Sequence, residues 1–141
     1  MSTEQNKTII RKWVEEGWNK GNLALVDEIF APNFVHHDPS NLVPVNNSEA
    51  MKKYVGMVRT AFPDATFTIE DLLAEGDEVL WRYNFHGTDT GPFGAIPPTG
   101  KTGDMTGMGL FRFVGGKVAE VWVNADQLGL LQQLGLVPKM G

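Results

Sequence analysis

An indole, an amide and a carboxylate recur at alternate positions near the carboxyl end of the chain, at Trp122, Asn124 and Asp126. Residues 118–125 are rich in β-branched and aromatic types and contain neither proline nor glycine, which predicts a strand. Side chains two apart in a strand point to the same face, so these three groups would converge. A carboxylate in such a place can act as a general base.

Asp126 also has a purely structural interpretation. Leu128, Leu131 and Leu134 follow it at three-residue spacing, which predicts a short helix ending near Gly135. Aspartate is a preferred helix N-cap, because its carboxylate accepts amide hydrogen bonds of the first turn. Such bonds favour the charged carboxylate, whereas an apolar pocket disfavours it. Both interpretations of Asp126 stay open at this point.

The adjacent histidines His36 and His37 fall in a short predicted strand, Asn33–His37. They point to opposite faces, so they are poorly placed to hold one metal ion together. The inward one would be an acid/base or substrate-orienting group near neutral pH, or else a core histidine bonded to a loop carbonyl. The third histidine, His86, shares a strand face with Arg82 and Asn84, which indicates a polar or solvated face.

Several classes of chemistry lack their usual residues. The chain has no cysteine, and it shows no Ser-His-Asp order, P-loop, dinucleotide fingerprint or HExxH motif. Proton transfer in an aromatic pocket remains, and Asp126 with an inward histidine would suffice for it. The residues predicted to contact a hydrophobic or aromatic substrate are Trp13, Trp18, Tyr54, Phe111, Trp122 and Asn124, although aromatic residues more often belong to the core.

The composition narrows the possible partners. The 141 residues are 42% hydrophobic, which fits one domain over residues 1–141 with a sizeable core. The net charge of −5 argues against a nucleic-acid surface and provides no basic patch for a membrane. The N-terminal segment MSTEQNKTII lacks a signal-peptide layout, and no apolar run approaches a membrane span. A cytoplasmic location is expected.

The order of the elements predicts an α+β fold. Apolar stripes predict helices over residues 4–20, about 23–30 and 48–62, and from residue 65 the pattern changes to the alternation of strands. Loops are expected at Asp38–Asn47 and Gly87–Gly103, with a hairpin turn at Gly115–Gly116. Helices followed by antiparallel strands favour helices packed on one face of a sheet.

The strand over about residues 104–114 is apolar on both faces. Met105, Phe111 and Phe113 lie on one face, and Met108, Leu110 and Val114 lie on the other. This pattern predicts a homodimer packed through the sheet. Gly107 and Gly109 lack side chains on the first face, so they would leave room for a cavity or mark a bulge.

Five segments together carry a resemblance to a known family: WNKGN at 18–22, FVHHDP at 34–39, FPD at 62–64, GTDTGPFGAIPPTGK at 87–101 and WVNADQLGLLQQLG at 122–135. The chain resembles the SnoaL-like polyketide cyclases in these segments, in order and over nearly its whole length. The resemblance implies a cone-shaped α+β barrel of the nuclear-transport-factor-2-like superfamily. In it a curved antiparallel sheet wraps around three N-terminal helices, a short C-terminal helix follows, and the usual assembly is a homodimer.

The resemblance also implies a reaction. In the cyclases of this family a pocket aspartate closes a ring by intramolecular aldol condensation, without metal or cofactor. The matching residues here are Asp126 as the acid/base and His37, from the H-D-P segment, as the group that helps to protonate the new alkoxide. Because the fold also hosts dehydratases, isomerases and non-catalytic binders, a small-molecule binding protein is the alternative.

Overall fold

The computed structural model describes residues 2–41 and 44–139, so Leu42 and Val43 of the predicted 38–47 loop lie outside the described residues. The helices are α1 (Thr3–Lys12), α2 (Ala24–Ile29), α3 (Ser48–Ala61) and α4 (Gln127–Gln133). The strands are β1 (Phe30–His37), β2 (Thr66–Glu75), β3 (Glu78–Thr88), β4 (Thr102–Val114) and β5 (Lys117–Ala125). The predicted α+β class is confirmed. Within the described residues, no helix is both long and apolar enough to cross a membrane.

The five strands form one curved, open sheet in the order β1-β5-β4-β3-β2. Strands β2 to β5 are antiparallel as predicted, whereas β1 pairs with β5 in parallel. A parallel pair needs a long crossover connection, and α3 with the β2–β4 meander provides it. The predicted turn at Gly115 and Gly116 is confirmed, with φ of 58° and 83°. These are the two positive φ values that a type I′ hairpin turn requires.

The two faces of the sheet differ sharply in exposure. Tyr83 and Phe111 are buried on the inner face, which the helices cover. Met108 is 50% and Val114 is 56% exposed on the outer face. The predicted polar group of Arg82, Asn84 and His86 also lies on this outer face. Burial of the outer face against a second copy therefore stays a prediction.

Gly107 and Gly109 neither open a cavity nor mark a bulge. They pair in regular register with Tyr83 and Trp81 of β3. An added Cβ would lie 2.4 Å from the Tyr83 ring at Gly107, and 2.7 Å from the Trp81 indole nitrogen at Gly109. The space that a side chain would occupy is filled by aromatic rings of the neighbouring strand, a pairing by which sheets stabilise their glycines.

A π-helical segment, Trp13–Trp18, continues α1. In a π-helix, hydrogen bonds join residues five apart, so Trp13 and Trp18 align on one side. Their ring centroids lie 6.1 Å apart in an edge-to-face arrangement. Gly17 is required here, because an added Cβ would lie 2.3 Å from the Trp13 ring. The segment therefore presents two indoles to the sheet.

Two polar side chains hold β2 and β3 in place. The side-chain amide of Asn19 pairs with the backbone of β2 as a neighbouring strand would. Its Nδ2 donates to the Phe67 carbonyl at 3.0 Å, and its Oδ1 accepts from the Phe67 amide at 2.7 Å. The Asp64 carboxylate accepts from the amide and hydroxyl of Thr88, both at 2.7 Å. Asn19 and Asp64 belong to the WNKGN and FPD segments, so these segments act in the architecture.

Candidate active site

A cavity of about 150 Å³ lies between the inner face of the sheet and the helices. Most of its wall is apolar, and the aromatic members are Trp13, Trp18, Phe30, Tyr54, Phe62, Phe67, Trp81, Tyr83, Phe85, Phe93 and Phe111. Its polar members are His36, Asp38, Ser40, Asp89 and Gln127, besides the hydroxyls of the two tyrosines. A wall of this kind suits a hydrophobic ligand fixed by a few polar contacts.

The β3–β4 loop contributes Phe93 and Ile96 to the cavity wall. Its base is held by Asp89, which is buried and whose carboxylate accepts from the Thr99 amide at 3.1 Å and hydroxyl at 2.9 Å. Phe93 and Ile96 also exchange two backbone hydrogen bonds of 2.9 Å across the loop tip. The loop therefore presents its two apolar side chains from a braced turn.

The polar centre of the cavity comes from the end of β1 and the residues that follow. His36, Asp38 and Ser40 alternate along the chain, and all three line the cavity. The Asp38 Oδ1 accepts hydrogen bonds from the Ser40 amide at 3.1 Å and from its hydroxyl at 2.7 Å. Ser40 thereby fixes the direction of the carboxylate.

His36 is neutral at physiological pH. Burial lowers the pKa of its imidazole, and the negative charge of Asp38 raises it by less. Desolvation penalises the charged form of a group, which is why burial has this sign for histidine. A neutral imidazole can accept a proton, so His36 has the protonation state that a general base needs.

Two phenols share the cavity with this pair. Burial, assisted by the charge of Asp38, raises the pKa of Tyr54 to about 12. Burial also raises the pKa of Tyr83, with smaller contributions from Tyr54 and Asp38. Both hydroxyls therefore keep their protons and can donate hydrogen bonds to an oxyanion.

The second histidine of the pair points the other way. The His37 Nε2 lies 2.7 Å from the Glu120 Oε2, and its ring stacks on Trp122 with centroids 5.4 Å apart. The other Glu120 oxygen accepts from Arg112 at 2.9 Å. Hydrogen bonds from His37 and then Arg112 lower the pKa of Glu120. His37 thus belongs to a polar cluster on the outer face, and the inward histidine is His36.

The capping interpretation of Asp126 is confirmed. Its carboxylate accepts the Gly129 amide at 3.0 Å and forms the N-cap of α4. Asp126, Asn124 and Trp122 do share a face, but it is the outer one, because the inward residues of β5 are Val121, Val123 and Ala125. The predicted convergence therefore lies on the opposite side of the sheet from the cavity.

Only some of the residues predicted to contact a substrate line the cavity. Trp13, Trp18, Tyr54 and Phe111 line the cavity, whereas Trp122 and Asn124 do not. The sequence reasoning missed Asp38, Ser40 and Tyr83. Asp38 and Ser40 could have been found by extending the two-residue alternation beyond His36. Among the described residues, no three histidine, aspartate or glutamate side chains are grouped to hold a metal ion.

Comparisons with known proteins agree with this architecture. A polyketide cyclase, provisionally assigned, from Acidithiobacillus ferrooxidans is 32% identical, with a TM-score of 0.83 over 96% of this chain and 98% of that one. AclR from Streptomyces galilaeus, provisionally described as a hydroxylase, is 29% identical, with a TM-score of 0.85 over 99% and 87%. IdmH from Streptomyces antibioticus, a provisional polyketide cyclase, is 30% identical, with a TM-score of 0.76 over 91% and 96%.

The family model gives the most direct assignment. No curated protein matches the chain significantly. The model of the SnoaL-like polyketide cyclases matches residues 8–134, nearly the whole chain. The high TM-scores over nearly complete chains confirm the fold that the sequence resemblance implied. The chain belongs to the SnoaL-like polyketide cyclase family.

Proposed function

We propose that the chain is a cofactor-free, polyketide cyclase-like enzyme. It closes a ring by intramolecular aldol condensation, or performs a related lyase or isomerase proton transfer, on a hydrophobic small molecule in the cavity. The supporting observation is that a neutral histidine, His36, lies beside a carboxylate, Asp38, in an aromatic cavity that also holds two protonated phenols. Family membership supports the class of reaction.

The proposed mechanism needs only groups of this cavity. His36 removes a proton from a carbon flanked by two carbonyls, and Asp38 stabilises the resulting imidazolium. The enolate attacks a carbonyl of the same molecule, which forms the new carbon–carbon bond and an alkoxide. Tyr54 and Tyr83 donate hydrogen bonds to the enolate and alkoxide oxygens. The imidazolium returns its proton to the alkoxide, so His36 ends neutral.

The geometry favours these residues over Asp126 and His37 as the acid/base pair. The Asp126 carboxylate is occupied at the helix cap, and His37 is bonded to Glu120 on the outer face. We therefore propose His36 in the role that the resemblance gave to Asp126, with Asp38 as the group that stabilises its positive charge.

The adjacent histidines offer a matched test. His36→Gln should reduce kcat at least about a hundredfold, the contribution typical of a general base, while His37→Gln should retain kcat within a few-fold. The assay follows ring closure of aromatic polyketone methyl esters by mass spectrometry and absorbance. Asp126→Asn is a further control, because asparagine caps a helix about as well as aspartate. Loss of turnover in His37→Gln or Asp126→Asn, with His36→Gln active, would contradict the assignment.

A non-catalytic binding protein is the alternative function. The observation that favours it is the largely apolar wall of the cavity, which alone would hold a hydrophobic ligand. In that case the ligands would bind without conversion, and His36→Gln would leave their dissociation constants nearly unchanged. Turnover that depends on His36 distinguishes the enzyme from the binder.

We further propose that two copies associate through the outer face of the sheet. This face exposes Val35, Met108 and Val114 beside the half-buried Trp122. Exposed apolar patches on a sheet are typical of protein interfaces. The polar cluster of His37, Glu120 and Arg112 would then lie at or near the contact.

A further inference from the structure

Among the described aspartates, glutamates, lysines and arginines, those that line the cavity are all acidic. Asp38 and Asp89 line the cavity, and no lysine or arginine does so among the described residues. The Asp89 carboxylate serves the loop through its two hydrogen bonds from Thr99. Within residues 2–41 and 44–139, the hydrogen bonds that the Asp38 carboxylate accepts come from the neutral donors of Ser40.

His36 does not neutralise Asp38 either. Its imidazole would become a cation by taking up a proton, but burial favours the neutral form. The cavity of the free protein therefore carries a carboxylate charge without a cation from the described part of the chain. Asp38 is half-buried, and an opposite charge within a few ångströms stabilises a carboxylate at such a partly solvated position. A ligand that brings a positive charge would satisfy this carboxylate, whereas an anionic ligand would be repelled by it.

The aromatic residues of the cavity also favour a cation. Tyr54 and Tyr83 line the same cavity as Asp38. Trp18 meets Tyr54 edge to face with centroids 5.7 Å apart, and Trp81 stacks on Tyr83 at 4.1 Å. The faces of tryptophan and tyrosine attract organic ammonium groups, and several such rings together form the cages that bind alkylated amines.

We propose that the cavity binds a cationic amine, with an alkylammonium group held by the Asp38 carboxylate and by the rings of Trp18, Tyr54 and Tyr83 that line the same cavity. The substrate class of the proposed enzyme would then be hydrophobic molecules that carry a protonated or quaternary amine. In this sense the inference rests on the proposed function, but amine binding can be measured apart from turnover. A bound cation would lower the basicity of His36, and the ammonium group and the transient imidazolium would share the charge of the Asp38 carboxylate during turnover.

The test uses a charged ligand and its uncharged carbon isostere. Binding of choline and of 3,3-dimethylbutan-1-ol to the full chain is measured by isothermal titration calorimetry at low ionic strength. Choline should bind at least about tenfold more tightly, which is the scale of a desolvated cation–aromatic contact with an added charge pair. The preference should largely vanish in Asp38→Asn and persist in Asp126→Asn, which makes the same chemical change outside the cavity. Trp18→Leu should weaken the binding of choline more than the binding of the uncharged isostere.

Equal affinities for the two ligands, or no choline binding, would overturn the proposal even if Asp38→Asn failed to fold. An unchanged preference in folded Asp38→Asn would also overturn it, because the carboxylate would then play no part. Failure of the proposed function looks different: choline would bind selectively, but polyketone esters with and without an amine would all remain unconverted. Conversion of neutral esters without selectivity for choline would support the proposed enzyme and refute the proposed cationic ligand.

Discussion

Replacing Gly107 by alanine should destabilise the fold, because the Tyr83 ring already occupies the space over this glycine. The added Cβ would lie 2.4 Å from both Cζ and the hydroxyl oxygen of Tyr83. Tyr83 cannot simply rotate away, since it is buried and stacks on Trp81 with centroids 4.1 Å apart. Inserting a methyl group into a packed site of this kind costs about 1–3 kcal/mol.

A smaller effect of opposite sign must be subtracted. Alanine restricts the unfolded chain more than glycine does, which contributes about 0.4–1 kcal/mol of stability. The net loss expected for Gly107→Ala is therefore about 1.3 kcal/mol, between limits of about 0 and 2.6 kcal/mol. Gly56 is the matched control: it lies inside α3, and an added Cβ would meet nothing within 4 Å. Gly56→Ala should therefore stabilise the protein by about 0.5–1 kcal/mol.

Urea unfolding followed by far-UV circular dichroism measures both variants. The midpoint should fall for Gly107→Ala and rise for Gly56→Ala, with the slope of the free energy of unfolding unchanged in each. A Gly107→Ala protein as stable as the parent would show that the Tyr83 ring does not lie over this glycine. Because Tyr83 lines the cavity, the same variant should also bind choline differently from the parent.

Two further predictions concern His36 and the outer face of the sheet. Burial lowers the pKa of His36, so its neutral form contributes stability that is present above about pH 6.5 and is lost as the pH falls below it. The urea midpoint should consequently drop more between about pH 7.5 and pH 5.5 in the parent than in His36→Gln, and equal drops would contradict a partly buried imidazole with a lowered pKa. Met108→Glu should convert the proposed dimer to a monomer in sedimentation equilibrium, since Met108 is 50% exposed on the outer face, and should leave monomer stability unchanged. A monomeric parent, or a dimer unaffected by this charge, would contradict association through the sheet.

The elements of the fold were predictable because each carries its own local signal. The stripe along α3 and the alternation along β3 are periodic over enough residues to identify the element and its buried side. The turn at Gly115 and Gly116 was equally clear, since its backbone conformation needs glycine. The direction of β1 had no such signal. A strand joined to its neighbour through a long crossover can pair in either direction, and only the packing of the intervening chain decides.

The glycines of β4 show why the interior of the site was harder to predict. A glycine in a strand has no side chain, and this absence suggested room for a ligand at Gly107 and Gly109. Their actual neighbours are Tyr83 and Trp81, which are 24 and 28 residues away in the sequence and reach these positions only through the β3–β4 register. Cross-strand partners fill such gaps, and periodicity within one strand contains no information about them.

The candidate catalytic residues depended on a single binary choice, namely which side of β1 and β5 faces the helices. Alternation correctly grouped Trp122 with Asn124 and Asp126, and separated His36 from His37. It could not choose between the groups in β5, because Trp122 is as apolar as Val121 and Val123. The cap at Asp126 contained the missing information: a carboxylate bonded to the first turn of α4 is not free to enter the cavity, and residues 124 and 122 follow it to the outer face. In β1 the same choice makes His36, and not His37, the candidate acid/base residue. Asp38 lies on the same inward side.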